Sequence, residues 1–490
     1  AELRGIGLED ATTLVARLGP GAPDDLRDAM RKAAAATAGV AQNNLRFAKA
    51  QLKAGAARVE ITPEKPCFLG GYYMLTERSV GVHDPLHTRA LVLDNGTTRV
   101  ALVTFDVVIM GGVMAQELKE MINKQTGIPI ENINVQATHT HSGPEGYYEE
   151  FGKYPKEYDP DMKNMMQSRA LEAVNQAIAR MQPASFGFAQ FTLENQNGNR
   201  HDPDGPVDRT AIAAVLKDKD GKPFAGFLNF AAHPTVAPAG SYLISAEWPG
   251  MFASLMEQRL GGETAFLYLQ GAAGNLGTGA PGTRIVDGQT VQLDDWQKAE
   301  YKAELLADAV FAKLPEIQTA AVIPLAGARR DFEFRVRSRK YFRNFEQSLP
   351  ELKKAIQDDP GASDAIKERR IGWLNDRYGT EKFMSMLIPT MKRVKEGKTA
   401  TTVQALRIGD LAMLAFPGEA ITELSIQLRR DLAPRSVAVL GYSNDHLGYI
   451  TTREIFNQGG YEAGMGLCFP DATEEMAAAL LDMASGLFAN

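Results

Sequence analysis

The sequence predicts an α/β protein of mixed α+β character: one large domain with a helical N-terminal extension and a helical insertion. Three observations carry this. Apolar runs of strand length alternate with helical stretches from about residue 54 to near the C-terminus. Asn95-Gly96 and Asp220-Gly221 each sit between two such runs, the strongest short signal for a hairpin. No internal repeat or low-complexity tract breaks the pattern. With 44% hydrophobic and 23% charged residues the chain is globular, and a net charge of −7 argues against a nucleic-acid partner. No apolar run reaches the length needed to cross a bilayer as a helix. Cys67 and Cys468 are too few for a disulfide framework or a cysteine-based zinc site.

Taken in order, residues 1–53 are Ala-rich and rich in helix-forming Leu, Lys and Arg, with Gly19 to Pro23 separating a short helix from a longer one. The chain opens Ala-Glu without an initiator Met, which fits a removed signal peptide and a periplasmic or secreted protein, or a trimmed cytoplasmic one. The main domain, 54–490, begins at "AARVEITP" and continues into the Asn95-Gly96 hairpin, a helix at about 112–125 and the strand "NINVQAT". There Ile133, Val135 and Ala137 alternate with polar residues, and the alternation is expected to carry His139 and His141 to the strand end on one side. A helix over 160–182 precedes the strand "ASFGFAQFTL", and the Asp220-Gly221 hairpin delivers His233 at its exit. "AEWPGMFASLMEQRL" is a helix with Pro249 near its first turn, where a missing N–H does little harm. "TAFLYLQGAAGNLG" is a buried strand entering a Gly-rich loop, and 295–314 is helical. "RDFEFRVRSR", 330–339, alternates as a strand, with Arg335, Arg337 and Arg339 on one face. That face is either a solvated surface or a contact for an acidic substrate. The helical insertion covers about 340–398, strands return at "TTVQALRIGDLAMLAFPGEA", and helices close the chain.

The chemistry-bearing residues are few. The chain has seven histidines, and "ATHTHSGPEG" spends two of them one residue apart, at His139 and His141. Imidazole is the commonest protein metal ligand, so a His-x-His pair at a strand end reads as half of a metal site. His233, in "NFAAHPT", is either a satisfied core residue or a third nitrogen for such a site. Glu419 follows an apolar strand broken at Pro-Gly, where a carboxylate is paired, metal-bound or placed at a helix N-terminus. Arg200, in "NQNGNRHD", is a surface residue or an anion clamp, and Tyr449 and Tyr461 are uninformative alone.

Six motifs in order resemble the neutral (non-lysosomal) ceramidase family: "GVHDPLHTRALVL", "ATHTHSGPEG", "NR" at 199–200, "NFAAHPT", "PGE" at 417–419 and "YITTREIFNQGGY". The resemblance spans about residue 54 to near the C-terminus and implies the fold of that family's catalytic domain. It implies a zinc-dependent hydrolase of an N-acyl amide, ceramide or another small-molecule or lipid substrate. The family's zinc ligands, two His, one Glu and one Tyr, fall on His139, His233, Glu419 and Tyr449. His141, Arg200 and Tyr461 fall on residues beside the metal, with His141 expected to move protons and Tyr461 and Arg200 to face the oxyanion.

Three departures from the family pattern shape the expectation. The family's Gly-Asp-x-Ser-Pro loop aligns with "QGAAGNLG", where Gly274 or a neighbour replaces the serine and no hydroxyl follows until Thr278. The chain ends about 30 residues past Tyr461, so the C-terminal β-sandwich of the family's long enzymes is expected to be missing. The N-terminal helices and the 340–398 insertion are additions that would reshape the pocket. An esterase, lactonase or carbohydrate-linked acyl hydrolase on the same site, or a non-catalytic binding protein, therefore stand as alternatives. A long apolar groove over the metal would favour a lipid, and a small or charged pocket would exclude ceramide.

Overall fold

The structure is a computed structural model that describes residues 50–72, 75–151, 157–262 and 264–489. Nearly all of the expected N-terminal extension lies outside the described residues. The main fold starts at β1, Lys53–Glu60. It joins β2 (His87–Asp94), β3 (Arg99–Phe105) and β4 (Ile133–Ala137) in a first sheet of order β4-β3-β2-β1, extended by Gln182–Pro183. The second sheet has the order β8-β7-β6-β5, built from β5 (Ser185–Thr192), β6 (Thr210–Lys217), β7 (Pro223–Phe230) and β8 (Phe266–Gln270). The third runs β9 (Leu325–Arg335), β10 (Lys398–Ile408), β11 (Leu411–Ala415) and β12 (Ser436–Leu440). Both expected hairpins form, β2–β3 around Asn95-Gly96 and β6–β7 around Asp220-Gly221.

The period-two pattern of each strand decides the layering. Leu91 and Leu93 of β2, Ile212, Ala214 and Leu216 of β6, and Leu406 and Ile408 of β10 share one interior core among the three sheets. Their neighbours face outward under helices. Ala90 and Val92 lie in the core shared with α1 (Gly112–Thr126) and α2 (Pro160–Ala179). Ala211, Ala213 and Val215 meet α3 (Glu247–Leu260) and α4 (Asp295–Lys313). The insertion forms two helices between β9 and β10, α5 (Arg339–Gln357) and α6 (Asp364–Leu387). After α7 (Thr422–Asp431) the chain ends in α8 (Arg453–Gln458), α9 (Gly460–Gly464) and α10 (Pro470–Phe488), the last packed on the third sheet.

Each sheet contains one parallel pair: β3–β4, β7–β8 and β11–β12. Buried side-chain amides tie the carboxyl ends of these pairs together. Gln136 Nε2 on β4 donates to the carbonyls of Gln270 (2.7 Å) at the end of β8 and Gly441 (2.6 Å) just after β12. Asn229 Nδ2 on β7 donates to the carbonyls of Leu269 and Val439, both at 3.0 Å. Gln404 Oε1 on β10 accepts from Asn134 (3.0 Å) and Asn444 (2.9 Å). The polar members of "NINVQAT" are therefore buried links between sheets, which alternation alone does not reveal.

Two local expectations change. The strand expected over 330–339 stops at Arg335, and Arg337 turns inward to donate to Glu381 (2.9 Å) and the Ala463 carbonyl (2.6 Å). Arg339 already opens α5, so the basic strand face does not form. The helix expected to reach 182 ends at Ala179, because Gln182–Pro183 pairs with β1. Cys67 and Cys468 remain separate thiols, and no helix among the described residues is long and apolar enough to cross a membrane.

Because Gln136 satisfies two buried carbonyls at once, Gln136→Met, nearly equal in volume, strands both. The expected loss is about 2 kcal/mol or more of unfolding free energy, measured by urea denaturation. A loss below about 0.5 kcal/mol would show that the sheets hold together without this link.

Candidate active site

β4 ends at Ala137, two residues short of the first histidine. His139 takes a left-handed backbone, φ 72°, and its N–H donates to the Val107 carbonyl at 2.9 Å. The turn, not the strand pleat, therefore aims His139 and His141 inward together. His141 packs against Gly71, where a Cβ would come within 2.5 Å of the imidazole ring and φ is +95°, so only glycine fits.

The imidazoles converge. His139 Nε2 lies 3.1 Å from His233 Nε2 and 3.2 Å from His141 Nε2. Glu419 Oε2 lies 3.4 Å from His139 Nε2 and 3.9 Å from His233 Nε2. The outer nitrogens fix the tautomers: His139 Nδ1 donates to the Val108 carbonyl (2.6 Å) and His233 Nδ1 to the Ala273 carbonyl (3.0 Å). Both Nε2 atoms then carry lone pairs that face each other across 3.1 Å, which is repulsive unless a cation lies between them. Two ligands of a tetrahedral zinc at its usual bond lengths are about 3.3 Å apart, so the spacing suits that ion. Burial pushes His141 and His233 well below the ordinary histidine range, and His446 down to about 4, so these rings are neutral and ready to ligate. Burial alone would raise the Glu419 carboxyl, but attraction to His139, His446 and Arg200 outweighs it and holds the group at about 2.

Backbone pairing explains how Glu419 and Tyr449 meet. Residues Glu419–Ala420 and Tyr449–Ile450 form a short parallel ladder with Glu419 opposite Tyr449. Glu419 thus belongs to the site and stands three residues before α7. Arg200 Nη2 donates to Tyr449 Oη and to the Gly274 carbonyl, both at 2.8 Å. Burial pushes the Tyr449 phenol well above its usual range. Tyr461 opens to solvent at 38% exposure, its ring 5.5 Å from that of Tyr449. All seven expected residues are thereby assembled, His139, His141, His233 and Glu419 most tightly, with Arg200 and Tyr449 beside them and Tyr461 at the rim.

The group floors a partly open apolar cleft of about 130 Å³. Val108, Ile109, Tyr148 and Phe151 form one side, and Phe383, Met384 and Leu387 of α6, with Met391 after it, form the other. The insertion therefore walls the site.

Sequence reasoning missed three participants. Tyr442 lies against the His139 ring, centroids 4.0 Å apart, and donates to Glu419 Oε2 at 3.3 Å. His446 Nε2 approaches Glu419 Oε1 at 4.0 Å. Glu462 accepts from Arg200 Nε at 3.0 Å. The first two lie in "GYSNDHLGYI", immediately before Tyr449, where an aromatic and one of seven histidines were the available signal.

Gly274, one of the loop positions without a hydroxyl, leaves no room for a side chain. Its N–H donates to the Ala420 carbonyl (2.9 Å), and a Cβ there would sit 2.7 Å from the Glu419 carbonyl oxygen. The Glu419 segment leaves room only for hydrogen.

Three imidazoles and a carboxylate, buried where parallel strands of three sheets end, define an α/β protein with a metal-competent site. Over residues 52–281 the chain matches the family described as neutral/alkaline non-lysosomal ceramidase, N-terminal. The chain is 24% identical to the neutral ceramidase of Pseudomonas aeruginosa over 88% of its own length and 72% of that protein's. It is 23% identical to the neutral ceramidase of Mycobacterium tuberculosis over 85% of this chain and 74% of the relative. A solved structure of the Pseudomonas aeruginosa neutral ceramidase superposes with a TM-score of 0.69 at 21% identity, covering 89% of this chain and 74% of that one. The resemblance drawn from the six motifs and the α/β fold are both borne out.

Gly274→Ser, which introduces a hydroxyl into this loop, is expected to cost about 1–3 kcal/mol of stability through overpacking and to lower activity, not raise it. Thermal unfolding and turnover check this, and a stable, faster variant would contradict the assigned contact. A pH effect follows from the histidines. The unfolded chain takes up protons near pH 6.5, whereas the buried rings resist until His446, for one, reaches about 4. The stability that these neutral rings contribute is full above about pH 6.5 and is lost as pH falls toward 4. In chelated protein, His446→Gln should flatten that acid-side decline in melting temperature. Parallel profiles for wild type and variant would refute the shift.

Proposed function

We propose that this protein is a zinc-dependent hydrolase that cleaves the amide bond of an N-acyl lipid, ceramide or a close chemical relative. One observation carries the reading: a three-imidazole and carboxylate group forms the floor of an apolar cleft. The similar proteins bear the name neutral ceramidase, which supports the amide and the lipid. The apolar walls suit an acyl chain and do not suit a charged substrate.

In this reading His139, His233, Glu419 and Tyr449 hold the zinc. When bound, zinc supplies Lewis acidity, acidifying water and polarising a carbonyl. Tyr442 and the two backbone carbonyls keep Glu419, His139 and His233 in ligating orientation. His141 Nε2, neutral through burial, takes a proton from the attacking water and returns it to the leaving amine nitrogen. Tyr461, at the rim, donates to the developing oxyanion, and the Arg200 charge beside Tyr449 favours negative charge there. The hydrophobic wall excludes water from the acyl side. No serine is used, in keeping with Gly274.

His141 stands close enough to the other two rings to be a ligand in place of Tyr449, and zinc content separates the roles. Elemental analysis of protein purified without chelator should find zinc in wild type and His141→Asn, and none in Glu419→Ala, which should also lose activity. A zinc-replete, active Glu419→Ala protein would refute the site. Across matched long-chain N-acyl amines and esters, the amides should be hydrolysed. An ester-only profile would move the function to an esterase or lactonase, and a metal-free wild type without hydrolysis would favour a binding protein.

A further inference from the structure

The insertion helix α6 does more than wall the cleft. One end carries Phe383, Met384 and Leu387, which line it. Three helical turns earlier, Trp373 stacks flat on His201, ring centroids 4.7 Å apart and planes 9° from parallel. Trp373 Nε1 also donates to the His201 carbonyl at 3.1 Å. His201 Nδ1 meets Glu462 Oε2 at 3.3 Å, and Glu462 Oε1 accepts from Arg200 Nε at 3.0 Å. Arg200 Nη2 then reaches Tyr449 Oη at 2.8 Å. A continuous chain of contacts therefore runs from α6 to the site.

Two features give this chain a purpose beyond packing. A guanidinium is a rigid planar fork, so the carboxylate that fixes Nε also sets the direction of Nη2. Glu462 is 3% exposed and both its oxygens are engaged, one by Arg200 and one by His201. The backbone around it is shaped for the contact. At Gly460, φ +85°, a Cβ would lie 2.5 Å from the His201 ring, and at Gly459, φ +104°, 3.0 Å from the Trp373 carbonyl oxygen. The two glycines of "NQGGY" thus let the α8–α9 corner close on His201 and Trp373.

We infer that Glu462 is a positioning residue for Arg200 and Tyr449, and that Trp373 of the insertion clamps it through His201. The insertion then sets the polar half of the site as well as the apolar half. The inference rests on the hydrolase reading for its kinetic readout, and metal affinity provides a second readout that does not.

The test uses zinc-loaded full-length protein as wild type, Glu462→Gln, Trp373→Ala and Trp373→Phe. Measured are kcat and KM on a short-chain N-acyl amide, Zn²⁺ affinity by chelator competition, and melting temperature. Glu462→Gln should lower kcat or Zn²⁺ affinity about 10–100-fold, the range for partners that orient ligands, with KM and melting temperature nearly unchanged. Trp373→Ala should show a smaller fall of the same kind, and Trp373→Phe, which keeps the stack, should recover it. Wild-type kcat and affinity in Glu462→Gln overturn the inference. So does a loss in Trp373→Ala that follows melting temperature and is not rescued by Phe. If Glu462→Gln does not fold, the Trp373 pair decides. If wild type hydrolyses no amide, the hydrolase reading fails separately, and equal Zn²⁺ affinities across the variants would still overturn the positioning role.

Discussion

Three hydrogen-bonded carboxamides that link the sheets are the constraint on which the site depends. A metal-type site needs donors from distant parts of the chain placed to within a fraction of an ångström. Here they come from three sheets, and sheets that meet only through apolar side chains can slide, because dispersion is non-directional. Gln136, Asn229 and Gln404 remove that freedom. Each bonds backbone on another strand, and Gln136 bonds two sheets other than its own. Stranded carbonyls would make any other register costly in so dry an interior. Gln136 lies three residues before His139, and its partner Gly441 directly precedes Tyr442, so this link sits next to the site.

On that floor the electrostatics follow from burial. Imidazoles taken from water lose their charge more readily than they lose their ligating lone pairs, so the same low dielectric that neutralises His141 and His233 prepares the group for a cation. Glu419 stays ionised because attraction to His139, and then to His446 and Arg200, outweighs the cost of burial. Imidazole lone pairs and a carboxylate converging on one buried point are a donor set that suits a divalent ion, which is the physical reason to read the cluster as a metal site.

Much of this was legible in the sequence, and the failures have physical causes. Strand alternation and the Asn-Gly and Asp-Gly turns located both hairpins, because those signals are local. Ordered motifs joined seven residues that spacing alone could not connect, since a ligand set distant in sequence leaves no periodicity. The role of Asn134 and Gln136 was not legible because alternation cannot distinguish a side that faces water from one that faces another sheet's polar groups. Arg337 was expected on an open strand face because its partners, Glu381 and the Ala463 carbonyl, belong to segments far along the chain. Tyr442, His446 and Glu462 were missed because each acts through another residue, which no composition or spacing rule records.

Gly274 and α6 show how such a site can change without losing its chemistry. At 274 the Glu419 backbone comes within 2.7 Å of where a Cβ would be, so a hydroxyl and this close approach exclude each other. What the chain has in exchange is a carbonyl that accepts from Arg200 and helps hold it beside Tyr449. Arg200 is then fixed from two directions, by Gly274 on the strand side and by Glu462 on the insertion side. A loop serine acts by contributing its own oxygen. The arrangement here instead concentrates the polar work in groups already present, with α6 supplying both the apolar wall and the clamp. One helix thus borders the cleft with Phe383, Met384 and Leu387 and reaches the Arg200–Tyr449 pair through Trp373 and His201, so under the proposed function a residue on α6 alters turnover without touching substrate.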